Sequence, residues 1–342
     1  MISNSEFNQK LLEKIGETYP KKSQQLEFLM VKMSLGKESA YRRLRGDVPF
    51  SFTEACMIAN ILGFSLDSIV RNGYSKSSPI FQLHATPPVE HQQVDYNNYY
   101  SQIYHIYDIL IEKWSVDPNL KIYSASNIIP QAMMFPYPYL SKFRAFAWKY
   151  QMDYSLIPHK FSEIKLSQEL SKKQQELLTK IRRFPENTFI ISRNIFDTIV
   201  RMIHYFFNLS YITSQEVSIL QDELLSLVNR LEYLTTIDRT SSDGRVWIYL
   251  ANIDFDSNYT YVEGSSYKRS FIELYFINTI SSSDAQICSI HKTWIDSLKK
   301  YSTLISMSGE IERTAFFERQ RELIGSLSKL TPQVVKFNQL SK

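Results

Sequence analysis

Near the start of the chain, apolar positions recur at helical spacing in several short blocks. Leu26, Leu29, Met30 and Met33 share one face of a helix predicted from Gln25 to Met33. Ala40 and Leu44 lie one turn apart in a second helix, Lys37 to Arg45, with Ser34-Leu35-Gly36 making the turn between the two. Gly46 stops that helix, and Asp47-Val48-Pro49 connects it to a third, from Phe52, with Ala55, Ile58, Ala59 and Leu62 on one face. A short last helix, Leu66-Asp67-Ser68-Ile69, takes Ser65 as its N-cap. Ser3 with Glu6, and Ser51 with Glu54, have the spacing at which a hydroxyl and a carboxylate satisfy helix-end amides reciprocally.

The pattern changes at Tyr74. From there to Asp95 the chain holds three prolines and no sustained period, which predicts a linker. Beyond it, helices are predicted over Tyr96–Trp114, Tyr139–Gln151, Lys172–Phe184, Ile195–Leu209, Gln215–Thr235, Asp284–Ile305 and Glu310–Leu330. Thr213 with Glu216, and Ser283 with Gln286, repeat the capping spacing. Strands are predicted at Lys121–Ala125, Thr188–Ile191, Arg245–Ile253, Tyr259–Glu263 and Arg269–Thr279, where β-branched and aromatic residues dominate. The last three, being consecutive, are expected to pair antiparallel in an α+β fold.

Val217, Leu220, Leu224, Leu227, Leu231 and Leu234 form an unbroken seam with alternating spacings of three and four. Such a seam packs against a neighbouring helix of the same chain or against a second copy. In the stretch from Ser302 to Gln320 and just beyond, Glu310 with Arg313 and Glu318 with Arg321 read as i,i+3 pairs, with Phe316 and Phe317 supplying packing.

At 342 residues, with 44% hydrophobic and 22% charged positions, the chain has material for two globular units. The net charge of +4 is too small to imply a nucleic-acid partner by itself. Two cysteines, Cys56 and Cys288, make no disulfide framework, and the polar first residues are no secretory signal, so the expected place is the cytoplasm, off the membrane. The glycines form neither a dinucleotide nor a P-loop cradle. The six histidines have no metal-ligand spacing, and no nucleophile motif appears. No catalytic residue, metal or cofactor is expected, and the protein is not read as an enzyme.

The small-residue turn before Lys37, Gly46 after the short helix, and the A-N-I-L-G-F-S-L-D-S-I run from Ala59 to Ile69 together resemble the phage-repressor-like helix-turn-helix family. The resemblance covers roughly fifty residues. The whole arrangement also looks like uncharacterised bacterial regulators that carry this module before a long C-terminal region. The resemblance implies that the second helix enters the major groove, with Lys37, Glu38 and Ser39 at base edges. Tyr41, Arg42 and Arg45, on later turns, would reach bases or phosphates. Between Lys37 and Gly46 four cations stand against one Glu, a local charge of +3 where a DNA-reading helix needs it. Arg43 departs from the family pattern, which has an apolar residue there.

The expected organisation is therefore multidomain. An all-α helix-turn-helix domain over 1–73 is followed by a linker over 74–95 and a larger, helix-rich α+β domain over 96–342 for sensing or dimerisation. The expected function is a sequence-specific, DNA-binding bacterial transcription regulator. Its partners are double-stranded DNA, a second copy of itself, and a small-molecule or protein effector. The alternative is a protein-interaction scaffold that uses the helix-turn-helix as a docking module.

Overall fold

The computed structural model describes residues 3–62, 64–66, 69, 81–84, 96–152, 160–237, 244–274 and 278–330. The chain divides into two compact units, Met1–Ile80 and Phe81–Lys342.

The smaller unit contains α1 (Asn4–Thr18), α2 (Lys22–Lys32), α3 (Lys37–Leu44) and α4 (Phe52–Leu62), and Leu66 and Ile69 are also helical. The remainder of the predicted last helix lies outside the described residues. Both predicted capping pairs form: Ser3 Oγ accepts from the Glu6 amide at 3.2 Å, and Ser51 Oγ from the Glu54 amide at 3.2 Å. α2 starts earlier than the apolar period indicates, because Gln24 Oε1 accepts from the Lys21 amide at 3.3 Å and closes the first turn. Leu11, Ile15, Leu29, Ala40, Ala55 and Ile58 are fully buried and form the core. Two buried amides tie its loops. Asn8 Oδ1 accepts from the Phe50 amide at 3.0 Å, and Gln25 donates to the Tyr19 carbonyl at 2.8 Å.

The larger unit is an α+β fold around an eight-stranded mixed sheet. Its elements are β1 (Gln82–His84), α5 (Tyr96–Ser115), β2 (Lys121–Ser126), α6 (Gln131–Met134), α7 (Pro138–Met152), α8 (Gln168–Arg182), β3 (Glu186–Ile191), α9 (Asp197–Asn208), α10 (Ser214–Thr236), β4 (Arg245–Leu250), β5 (Tyr259–Glu263), β6 (Lys268–Leu274), β7 (Asn278–Ser282), α11 (Ala285–Lys300), β8 (Thr303–Leu304) and α12 (Glu310–Gly325). The strand order is β1-β7-β6-β5-β2-β3-β4-β8. β2, β3 and β4 are parallel, with Ile122 level with Asn187 and Asn187 with Val246; the other pairs are antiparallel. Parallel neighbours need long crossovers, and α6 to α8 and then α9 and α10 supply them.

The structure departs from the sequence expectations at several elements. β4 does not pair with β5; it lies parallel to β3, with β8 on its other side. The predicted strand Arg269–Thr279 is two antiparallel strands, β6 and β7. Gln82–His84, inside the predicted linker, is a strand that pairs with β7, whereas most of that stretch lies outside the described residues. α11 is capped by Asp284, whose carboxylate accepts from the Gln286 and Ile287 amides, and not by Ser283. The predicted helix to Ile305 ends at Lys300, and β8 follows. Arg321 pairs with Glu232 of α10 instead of Glu318, and Arg313 donates to the Ile305 and Ser308 carbonyls.

Strand alternation separates the sheet's two faces. Ile248, Leu250, Val262 and Phe271 join the main core with α5, α7, α8, α10 and α12. Tyr123, Ala125, Ile190 and Tyr261 face the other way, beneath Cys288, Ile295 and Leu298 of α11. The leucine seam of α10 is spent inside the chain. Val217, Leu220, Leu224, Leu227 and Leu231 are buried in the main core, and Leu234 packs against it. That face is closed to a second copy. No helix among the described residues is long and apolar enough to cross a membrane.

Candidate nucleic-acid interface

α3 begins directly after a tight turn. Ser34 takes a left-handed conformation, φ 52°, and the Leu35 amide donates back to the Leu29 carbonyl at 3.3 Å, turning the chain out of α2. Gly36 is the N-cap of α3 and makes no side-chain hydrogen bond to the first turn, so that turn's amides carry no side-chain cap. Gly46 ends the helix at φ 79°, a conformation that costs a residue with a Cβ about 1–2 kcal/mol.

At 3.6 residues per turn, Ala40, Arg43 and Leu44 project to one side of α3. Ala40 is fully buried and Leu44 packs on the core of the unit. The opposite side holds Glu38, Tyr41, Arg42 and Arg45, with Lys37 and Ser39 on its two flanks. All six are exposed. The structure thus brings the six residues singled out in the sequence onto the solvent side of one helix.

Their electrostatics differ from the simple count of four cations. Arg43 is taken up by α4: its Nη2 lies 2.7 Å from Glu54 Oε1, and its Nε donates to Glu54 Oε2 at 3.2 Å. Glu54 also accepts from the Ser51 amide at 2.7 Å. Burial pushes the Glu54 carboxyl up, but the hydrogen bonds from Ser51 and Arg43 outweigh it and leave its pKa below the ordinary value. Arg43 is therefore a clamp between α3 and α4, with its charge engaged on the packed side of the helix. Arg45 Nε lies 2.9 Å from Asp47 Oδ2, with both side chains largely in water. A pair so exposed is weak and can be exchanged for a phosphate. Lys37 and Arg42 make no ion pair among the described residues.

The clamp was missed from sequence because its carboxylate lies eleven residues away, where the Ser51–Glu54 spacing already assigns it to a cap. Among the described residues no three His, Cys, Asp or Glu side chains gather as metal ligands. Cys56 is half-buried and Cys288 buried, and both are free thiols. The sequence matches no family model, and neither the curated proteins nor the solved structures gave a match to it.

Proposed function

We propose that this protein is a sequence-specific DNA-binding transcription regulator, with α2, the Ser34 turn and α3 acting as a helix-turn-helix of the phage-repressor-like kind. The observation that carries this reading is the sorting of α3: Arg43 is withdrawn into the Glu54 clamp, while Lys37, Glu38, Ser39, Tyr41, Arg42 and Arg45 stand in solvent. An uncapped helix start beside Lys37, with Arg42 and Arg45 on the next turns, suits contact with phosphates. Glu38 and Ser39 are of the types that read base edges. The larger unit serves to sense an effector and to hold two copies on paired half-sites, through a surface other than the α10 seam.

Selection of duplexes from a random library by the full-length protein tests the proposal. An enriched motif, with binding that weakens steeply as salt rises, supports it. A second reading, a docking module for another protein, has one observation in its favour: Met57 and Ile61, one turn apart on α4, are both exposed apolar side chains. A library that yields no enriched duplex would favour that reading.

A further inference from the structure

Between the helical layer and one face of the larger unit's sheet lies a cavity of about 380 Å³, within the size range of small-molecule sites. Protein interiors close up around voids, and an unfilled space of this size forfeits contacts along all its walls. The walls here are mostly apolar, with Trp114, Leu177, Phe189, Leu227 and Phe271 among them.

The polar lining is divided between two ends. At one end, Asn258 Nδ2 donates to Glu273 Oε2 at 2.5 Å, and Glu273 is also paired with Arg144. Ser124 and Thr260 stand nearby with their hydroxyls 3.3 Å apart. Asn258 adjoins Tyr259, whose register partner is Ala125, so this end lies where β2 finishes. The other end carries Arg182, exposed, and Arg230, half-buried. Neither makes an ion pair with an acid among the described residues; beside the effect of burial, Tyr137, which also lines the cavity, feels the charges of Arg230, Glu223 and Arg182, in that order. The Gly244 amide donates to the Arg182 carbonyl at 2.8 Å, just before β4 begins level with the start of β3, so the arginine end lies where β2 starts. Six residues of β2 separate the ends, roughly 17 Å.

These two ends ask for different groups. Two guanidiniums at the mouth match a carboxylate. At the far end the charge of Glu273 is balanced by Arg144, so that end offers no cation for an anion, whereas the Glu273 carboxylate can accept from a hydroxyl; a purely apolar tail there would leave its polar neighbours facing hydrocarbon. We infer that the larger unit binds an elongated, medium-chain apolar carboxylate with a hydroxyl at its far end, the carboxylate on Arg182 and Arg230 and the hydroxyl at Glu273. This deepens the sensing role proposed above and rests on that reading for its regulatory meaning; the binding itself needs no DNA.

Calorimetric titration of the full-length protein with decanoate, ω-hydroxydecanoate, decanol and decylamine tests the inference. ω-Hydroxydecanoate is expected to bind most tightly, decanoate next, and decanol and decylamine weakly. The double variant Arg182→Ala/Arg230→Ala should weaken both carboxylates about tenfold or more and leave decanol unchanged, because only charge-assisted bonds are lost. Both side chains sit at the cavity mouth, and circular dichroism would verify that the variant folds. The inference is overturned if none of the four compounds gives saturable binding, if decylamine matches decanoate, or if the double variant binds decanoate as well as the parent does. Equal affinities for the two carboxylates would overturn the Glu273 assignment. Duplex selection without carboxylate binding would leave the regulator reading standing, and carboxylate binding without duplex selection would leave the cavity reading standing.

Discussion

Arg43 and Glu54 join α3 to the first turn of α4 through two contacts, 2.7 Å and 3.2 Å, with both side chains largely withdrawn from water. Glu54 is at the same time the capping carboxylate of α4. One carboxylate therefore sets both where α4 begins and how α3 is turned about its own axis. A charged residue at an otherwise core-facing position becomes compatible with the small core because its charge is fully engaged.

This relationship predicts thermodynamic coupling. In a double-mutant cycle with Arg43→Ala and Glu54→Ala, the two losses should fall short of additivity by about 1–2 kcal/mol. Denaturant-dependent amide exchange in α3 and α4 of the full chain would read it. Additive losses would mean that the pair does not act as a clamp.

The α10 seam makes a second prediction. Leu224 is fully buried in the main core, so Leu224→Ala should destabilise the larger unit by about 2–5 kcal/mol. Leu224→Asp should prevent that unit from folding. A folded, monomeric Leu224→Asp protein beside an oligomeric parent would show that the seam is an intersubunit surface after all.

His291 supplies a pH dependence. Its ring lies against Tyr259, Tyr261 and Trp294, with centroid separations of 5.7, 6.2 and 6.3 Å, and it is 8% exposed. Burial pushes its pKa down from 6.5 to about 4. The unfolded chain therefore takes up this proton near pH 6.5 and the folded chain only near 4. The stability associated with neutral His291 is complete above about pH 6.5 and is lost progressively as pH falls to about 4, by roughly 3 kcal/mol in all. Urea unfolding of the parent and of His291→Phe should diverge across that window. Parallel pH profiles for the two proteins would contradict the assignment.

Local chemistry was legible in the sequence, and long-range pairing was not. The pairs Ser3–Glu6, Ser51–Glu54 and Thr213–Glu216 announced helix starts because the groups that satisfy one another are three residues apart. Asp284 took the cap expected of Ser283 because its carboxylate reaches two amides at once. The central parallel strands gave little sign of their partners, since each is separated from the next by a helical crossover and is covered on both faces. β1 is three residues in a proline-containing stretch, and its place is set by the β7 edge that it meets. For the candidate interface, the outward face of α3 followed from helical spacing. The role of Arg43 did not, because a salt bridge between helices leaves no periodic trace. The cavity, whose walls come from helices and strands far apart in the chain, was invisible for the same reason.

The proposed function requires α3 to touch DNA, and the most direct measurement is the salt dependence of binding to the duplex enriched in selection, for the parent and for Lys37→Ala/Arg42→Ala. Lys37 and Arg42 are exposed cations without an acidic partner among the described residues, so the substitution should leave the fold intact. If each neutralises one phosphate, removing both weakens binding and makes the slope of log K against log salt shallower by about 2, since each lost contact releases about one counterion fewer. An unchanged affinity and slope in the folded variant, or the absence of any selected duplex for the parent, would contradict the proposed function.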